Sequence, residues 1–243
     1  MRSKVAVVTG ASRGIGRATA SKLAKDGWCV AINYLHSRDE AEQLADEIGR
    51  GAALAVCADI SKKSEAFMLI DKARDRFGSV DLLVNNAGIC AHTLFQDISE
   101  EEWRSLFATN VDGAFFCTQA VLSEMISRKS GIIINIASVW GQTGGSGEVN
   151  YSATKAAVIG MTKALAKEVG PSGIRVNCIA PAATTTDMIN NLSEAELEDV
   201  CDEAALMILA KPEDIANTVS FLASDAAALY TGQILCPNGG FYI

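Results

Sequence analysis

The feature that most restricts this chain is a rhythm. Short apolar runs alternate with longer amphipathic ones from end to end. The runs "KVAVVT", "CVAINY", "AALAVC", "VDLLVN", "GIIINIAS", "IRVNCIA" and "QILC" read as strands. Between them, residues 16–27, 38–49, 62–77, 99–128, 151–169 and 212–223 read as helices. Within 62–77, Phe67, Ile70, Ala73, Arg74 and Phe77 recur at the three-and-four spacing of one helical face. Strands separated by helices pair in parallel, so the chain is expected to form a doubly wound α/β sheet. Strands this continuously apolar suit a sheet covered on both faces, and 49% hydrophobic content supplies the covering. No linker or repeat divides residues 1–243, which are expected to be one domain. Residues 184–210 break the rhythm, being polar and weakly patterned, and are read as an inserted helical lid.

Charge and cysteine usage remove several function classes. A net charge of −8 argues against nucleic acid, which requires a basic footprint. No basic cluster suggests a membrane surface, and no run approaches the ~18 apolar residues of a membrane helix. The start, "MRSKVAVVTG", has too short an apolar run for a signal peptide. Seven cysteines without C-x-x-C spacing fit neither a disulfide framework nor zinc, so no metal is expected. Cys29, Cys57, Cys178 and Cys236 lie in strand-like runs and are expected to be buried thiols of a cytoplasmic protein. The two histidines, His36 and His92, have no metal-ligand spacing; His92 is read as a surface-loop residue.

The first strand ends in "TGASRGIG", with Gly10, Gly14 and Gly16 at the turn into a helix. Glycines allow close backbone approach, and a helix beginning there aims free N–H groups at a phosphate. In NAD-binding folds an acidic side chain near the end of the second strand holds the ribose. Here that position is Tyr34, with Arg13 and Arg38 nearby, which points to the 2′-phosphate of NADP. Asp59 either accepts from the adenine amino group or caps the helix beginning near Ser61. The segment "NNAG", 85–88, either borders a ligand beyond the strand ends or is an Asn-rich turn.

"NYSATK" sets Tyr151 four residues before Lys155, one helical turn apart. Alone the pair is a common surface spacing. Beside a nicotinamide it acquires a chemistry: a lysine ammonium and the positive oxidised cofactor would lower the tyrosine pKa, making it a usable proton donor. Ser138, ending the fifth strand, either orients a substrate carbonyl or caps a turn. Asn110 sits inside a helical stretch where Asn is a poor former.

"TGASRGIG", "NNAG", Asn110, Ser138 in "IASVWG" and "YSATK", in that order, resemble the short-chain dehydrogenase/reductase family over essentially the whole chain. The resemblance implies a Rossmann-type, seven-stranded parallel sheet of order 3-2-1-4-5-6-7. It implies a catalytic tetrad of Asn110, Ser138, Tyr151 and Lys155, in which Lys155 also holds the nicotinamide ribose and Asn110 bends its helix and holds a water. It implies cofactor contacts at Gly10, Ser12, Arg13, Gly14, Ile15 and Gly16, at Tyr34, Arg38, Asp59 and Ile60, at Asn86, Ala87 and Gly88, at Tyr151 and Lys155, and at Pro181, Thr184 and Thr186.

Within that family, "VAINY", "ATKAAVIGMTKALAKEV" and "GIRVNCIAP" resemble the 3-oxoacyl-acyl-carrier-protein reductases of fatty acid biosynthesis, which use NADPH and are typically tetramers. "SVWGQTGGSGEV", "LSEAELEDVCDE" and "YTGQILCPNGG" resemble reductases of a 5-aminopentanone group on elongation factor P. A small free ketone is a third substrate class, and an NADP-sensing regulator is the non-enzyme alternative, although all four tetrad residues are present. Three departures stand out: Pro181-Ala182 replaces the usual Pro-Gly, "AALMI" (204–208) replaces a Pro-x-Gly-Arg pattern, and the carrier-docking basic residues reduce to Arg128 and Lys129. A homotetramer is expected through apolar outer faces carrying Phe115, Val121, Val158 and Met161, with "GGFYI" as a second interface.

Overall fold

The computed structural model describes residues 3–185 and 201–243. Seven strands form one parallel sheet: β1 (Val5–Val8), β2 (Cys29–Tyr34), β3 (Ala53–Cys57), β4 (Leu82–Asn85), β5 (Gly131–Ile136), β6 (Ile174–Ile179) and β7 (Ile234–Leu235). Their order is β3-β2-β1-β4-β5-β6-β7, as expected of a Rossmann-type sheet. The reversal of winding lies between β1 and β4, where Ala6 pairs with Leu82 and Val8 with Val84. A crevice at the carboxyl ends of strands at such a switch point is where this architecture places ligands.

The period of two along the strands builds two cores. Ala6 and Val8 join Val30, Ile32 and Tyr34 on one face, covered by α1 (Gly14–Lys25), α2 (Arg38–Ile48) and α8 (Pro212–Ala223). Val7, Ala31 and Leu83 face the other way, under α3 (Lys63–Phe77), α5 (Gly113–Arg128) and α7 (Val149–Val169). Two short helices complete the described set, α4 (Glu100–Phe107) and α6 (Trp140–Thr143).

Several expectations are corrected. The helix expected over 99–128 is two helices, α4 and α5, joined by a π turn over Ala108–Asp112. Of the four strand cysteines only Cys178 is fully buried. Cys57 is exposed because it ends β3, the edge strand; Cys29 opens its strand and Cys236 follows the two-residue edge strand β7, so both are half-buried. Val121 and Val158 do not lie on outer faces: the helical phase turns them into the core, leaving Phe115 exposed and Met161 half-buried. The lid's described ends meet, with Thr184 bridging Ala210; its middle, including Thr186, lies outside the described residues. Leu206, Met207 and Ile208, from the apolar departure noted above, are exposed. No described helix is long and apolar enough to cross a membrane.

Candidate active site

The glycine-rich turn follows β1. Gly10 and Gly14 have φ of +60° and +54°, a region costly for other residues. A Cβ on Gly16 would stand 2.3 Å from the Gly10 carbonyl oxygen, and one on Gly10 would stand 2.9 Å from Ala87 Cα. The turn is therefore pressed against the loop after β4. Asn86 Nδ2 donates to the carbonyls of Thr9 (2.9 Å) and Gly10 (3.0 Å), while Asn86 and Ala87 N–H both donate to Thr9 Oγ1 at 3.0 Å. Asn33 ties in the neighbouring strands, accepting from Gly10 N (3.1 Å) and donating to the Ala58 carbonyl (3.0 Å). Sequence reasoning misses Thr9 and Asn33; the available signal is a polar side chain at the carboxyl end of an apolar run, and both are buried.

Helix α1 begins at this turn, and Arg13 at its N-cap places no side-chain cap on the first amides. Those N–H groups and the glycine cradle fit a dinucleotide pyrophosphate. Ser12 is buried and Ile15 packs against the core. Tyr34 ends β2 with its ring largely buried; burial pushes its phenol up, while the nearby Arg38 opposes the shift. Arg13 and Arg38 are exposed at this end of the crevice. Asp59 accepts from Ser61 N (3.1 Å) and Oγ (2.6 Å) and lies 3.3 Å from Lys62 Nζ. Burial resists its ionisation, but these partners hold the carboxyl below its ordinary value; its bonds to Ser61 close a turn ahead of α3 and reach none of the helix amides. Ile60 is a core residue against which Gly113 packs; a Cβ there would lie 2.7 Å from Ile60 Cδ1.

The second half of the site assembles from β4, β5, the π turn and α7. Asn110 Oδ1 accepts from Ile89 N at 2.8 Å; its Nδ2 donates to Ile89 O at 2.9 Å and to Thr154 Oγ1 at 3.0 Å. Thr154 in turn donates to the Tyr151 carbonyl at 2.7 Å. The side chain thus braces the loop after β4 against α7. A Cβ at Gly88 would lie 3.2 Å from Asn110 Oδ1 and 3.3 Å from Lys155 Nζ, so a side chain there would crowd both groups. Ser138 accepts from Trp140 N at 3.2 Å, which caps the turn after β5, and its hydroxyl is close enough to the Tyr151 phenol to favour the phenolate. Lys155 Nζ donates to the Ile136 carbonyl at 2.9 Å and lies 5.4 Å from the Tyr151 ring centroid. The Pro181 carbonyl accepts from Val139 N at 2.9 Å, and Thr184 Oγ1 donates to the Ala182 carbonyl at 3.1 Å.

The electrostatics of the protein alone are governed by burial. Burial pushes the Tyr151 phenol up, with Cys90 and Glu148 adding to the rise and the Ser138 bond opposing it. Burial also lowers Lys155 to about 8, with Cys178 and Cys90 opposing. Desolvation therefore holds Tyr151 in its protonated, proton-donating form in the protein alone. Cys90 itself is pushed up to about 12, chiefly by burial and then by Glu148. Among the described residues, no group of three or more His, Cys, Asp or Glu side chains could hold a metal ion.

The short chain dehydrogenase family model matches residues 4–197. A Staphylococcus epidermidis protein named 3-oxoacyl-[acyl-carrier-protein] reductase FabG is 45% identical, with 99% of this chain and 100% of that protein covered. A protein of that reductase name from Synechocystis sp. is 44% identical, covering 99% of this chain and 97% of its own. Escherichia coli strain K12 has a FabG reductase 42% identical, covering 99% and 98%.

Proposed function

This chain belongs to the short-chain dehydrogenase family and is an oxidoreductase, and from that premise we propose that it reduces a ketone to a secondary alcohol with NADPH, the substrate being a 3-oxoacyl thioester. The names of the relatives support the thioester, and with it a place in fatty acid biosynthesis and acyl carrier protein as partner. The observation that carries the reading is the convergence of Ser138, Tyr151 and Lys155 in one buried cluster beside the backbone of Gly88.

In this proposal the glycine turn and the first amides of α1 hold the pyrophosphate, and Lys155 holds the nicotinamide ribose. When bound, the reduced nicotinamide supplies the hydride for the carbonyl carbon. Ser138 orients the carbonyl oxygen, and the Tyr151 hydroxyl gives that oxygen its proton. The Lys155 ammonium steadies the phenolate left behind, from the face of the ring it already occupies. Asn110 positions the wall of the site through Ile89 and Thr154. The NADP assignment rests on Tyr34, which presents no carboxylate to repel a 2′-phosphate, and on exposed Arg13 and Arg38.

Tyr151→Phe is expected to lower turnover of an acetoacetyl thioester by about 10²–10⁴. NADPH affinity, followed by its fluorescence, should stay within about threefold; near-normal turnover would sink the assignment. NADPH should be preferred over NADH by at least about tenfold in kcat/KM, which requires only ~1.4 kcal/mol. Equal efficiency would remove Arg13 and Arg38 from phosphate recognition. Turnover of any activated ketone also rules against the NADP-sensing regulator.

One observation favours a second reading, a ketone not presented by acyl carrier protein, such as a 5-aminopentanone on elongation factor P or a small free ketone. Arg128, one of the two basic residues left for docking, is folded inward. It donates to Asp81 Oδ1 (2.8 Å), Ser79 Oγ (3.0 Å) and the Val80 carbonyl (2.5 Å). Its charge is spent within the fold, leaving Lys129 as the exposed cation of the pair. Comparing acyl-carrier and free thioesters for kcat/KM separates the two readings.

A further inference from the structure

Among the described residues, two side-chain hydrogen bonds tie α7 to β5, and one of them lies outside the cluster described above. Lys155 Nζ donates to the Ile136 carbonyl at 2.9 Å. One residue earlier on the strand, Asn135 Nδ2 donates to Thr162 Oγ1 at 2.8 Å, and the Thr162 hydroxyl donates in turn to the Val158 carbonyl at 2.8 Å. Asn135 Oδ1 accepts from Asn85 Nδ2 at 2.8 Å, its register partner across β4 and β5. Asn85 Nδ2 also donates to Thr118 Oγ1 of α5 at 3.1 Å. Thr118, Asn85, Asn135 and Thr162 thus form a run from α5 through two strands to α7, and none of the four is more than 5% exposed. By the period of two, Asn85 and Asn135 share a face with the core residues Leu83 and Ile133. A buried amide on such a face must be met bond for bond, a demand that leucine does not make. What the amide adds is direction. Apolar contact is non-directional and leaves a helix free to shift along a sheet, whereas a hydrogen bond fixes donor against acceptor.

We propose that Asn135 and Thr162 are positioning residues for the reaction: their bond sets where α7 lies along β5, and so delivers Tyr151 and Lys155 to Ser138 and the Ile136 carbonyl. The proposal rests on the ketone-reduction reading and deepens it. Its basis is a two-point attachment. Thr162 lies two turns after Lys155, about 10 Å along the axis, on the buried face that also carries Tyr151. On the strand side, Asn135 immediately precedes Ile136 and stands three residues before Ser138. Lys155 by itself is a poor gauge of position, because its long side chain can follow a shift by changing rotamer. Thr162 is short and β-branched, so its bond to Asn135 tolerates little displacement. A slip of one residue moves the helix by about 1.5 Å, and a misplacement near 1 Å costs about 10²-fold where reacting groups must be aligned. Both residues act through the helix rather than on the reacting atoms.

The test compares the full chain with Thr162→Val, Thr162→Ser and the double variant Asn135→Leu/Thr162→Val, using NADPH and an acetoacetyl thioester well below each Tm. Thr162→Val keeps the shape and strands an Asn135 donor, so Tm should fall by several degrees and kcat by at least about tenfold. KM and NADPH affinity should stay within about threefold. Thr162→Ser returns the hydroxyl and should return kcat to within about threefold of the unmodified protein. The double variant replaces both partners by apolar groups of similar shape, and should recover most of the lost Tm without recovering kcat. A kcat that recovers together with Tm in the double variant overturns the proposal, as does near-normal kcat in Thr162→Val or a defect that Thr162→Ser leaves in place. If Thr162→Val does not fold, the double variant decides in the same way: low kcat at near-normal Tm upholds the proposal and normal kcat overturns it. NMR of the Lys155 amine reads its placement without turnover, and its titration should move in Thr162→Val and stay in place in Thr162→Ser. That movement, with no ketone turned over by the unmodified protein, upholds the positioning role and overturns the reduction reading. Turnover with an unmoved Lys155 and unchanged kcat does the reverse.

Discussion

At the scale of single residues, the site stores an opposition between burial and charge. Lys155 is one of the most enclosed charged groups in the molecule, and burial lowers it from 10.5 to about 8. The sign of the linkage follows. Between pH 8 and 10.5 the unfolded chain holds more of this proton than the folded one, so this group's contribution to stability rises with pH through that window. Below pH 8 the full cost of the buried ammonium is present. Lys155→Met removes that cost and the bond to Ile136 O together. The net gain at pH 7 is expected to be on the order of 1 kcal/mol, about 2–4 °C in Tm. The gain should shrink as pH approaches 10, while ketone turnover collapses. Thermal melts of both proteins at pH 7 and pH 10 check this, and an advantage independent of pH would contradict it. The Tyr-Lys spacing was legible in "YSATK", but the balance of their charges was not, because desolvation depends on what the rest of the fold packs around them.

At the scale of elements, the segment from α4 to α5 carries the lesson. Its hydrophobic pattern reads as one long helix, and Asn110 stands out only as a weak helix former. In the fold, the π turn at Ala108–Asp112 brings that amide against Ile89 and Thr154, partners 21 and 44 residues away. Such bulges inside helices frequently mark functional positions. Asn110→Ala would orphan the Ile89 N–H and carbonyl and one Thr154 contact. The expected loss is about 1–3 kcal/mol of stability, seen as a Tm fall of several degrees. Hydrogen exchange at the Ile89 amide should accelerate with it. An unchanged Ile89 exchange rate would mean that the brace is not what holds the loop.

At the scale of the whole molecule, apolar surface remains after folding. Trp103 and Phe115 lie exposed on α4 and α5, Ile126 lies further along α5, and Leu229 and Ile243 stand out towards the end of the chain. We hold to a homotetramer as the arrangement that covers such surface, now carried by Phe115 and Met161, with Val121 and Val158 belonging to the core. Light scattering at micromolar concentration should return four chains, and Phe115→Glu should shift the mass downward without lowering Tm by more than a few degrees. A monomer in the unmodified protein would refute the arrangement.

What the sequence determined by itself was everything written in short-range pattern. The alternation of apolar runs set seven strands between helices, the glycines at 10, 14 and 16 set the turn, and a four-residue spacing set Tyr151 over Lys155. The family motifs carried the strand order as well. These features were readable because a strand or helix face repeats within a few residues. The tertiary structure alone decided which distant groups meet: Asn33 with Gly10, Asn110 with Thr154, Arg128 with Asp81, and Glu148 with His92. It also decided that Cys57 lies open at an edge strand while Val158 is core. Local periodicity specifies which face of an element is buried. The register of the parallel sheet specifies what that face is buried against, and the protonation of Tyr151, Lys155 and Glu148 follows from that second fact.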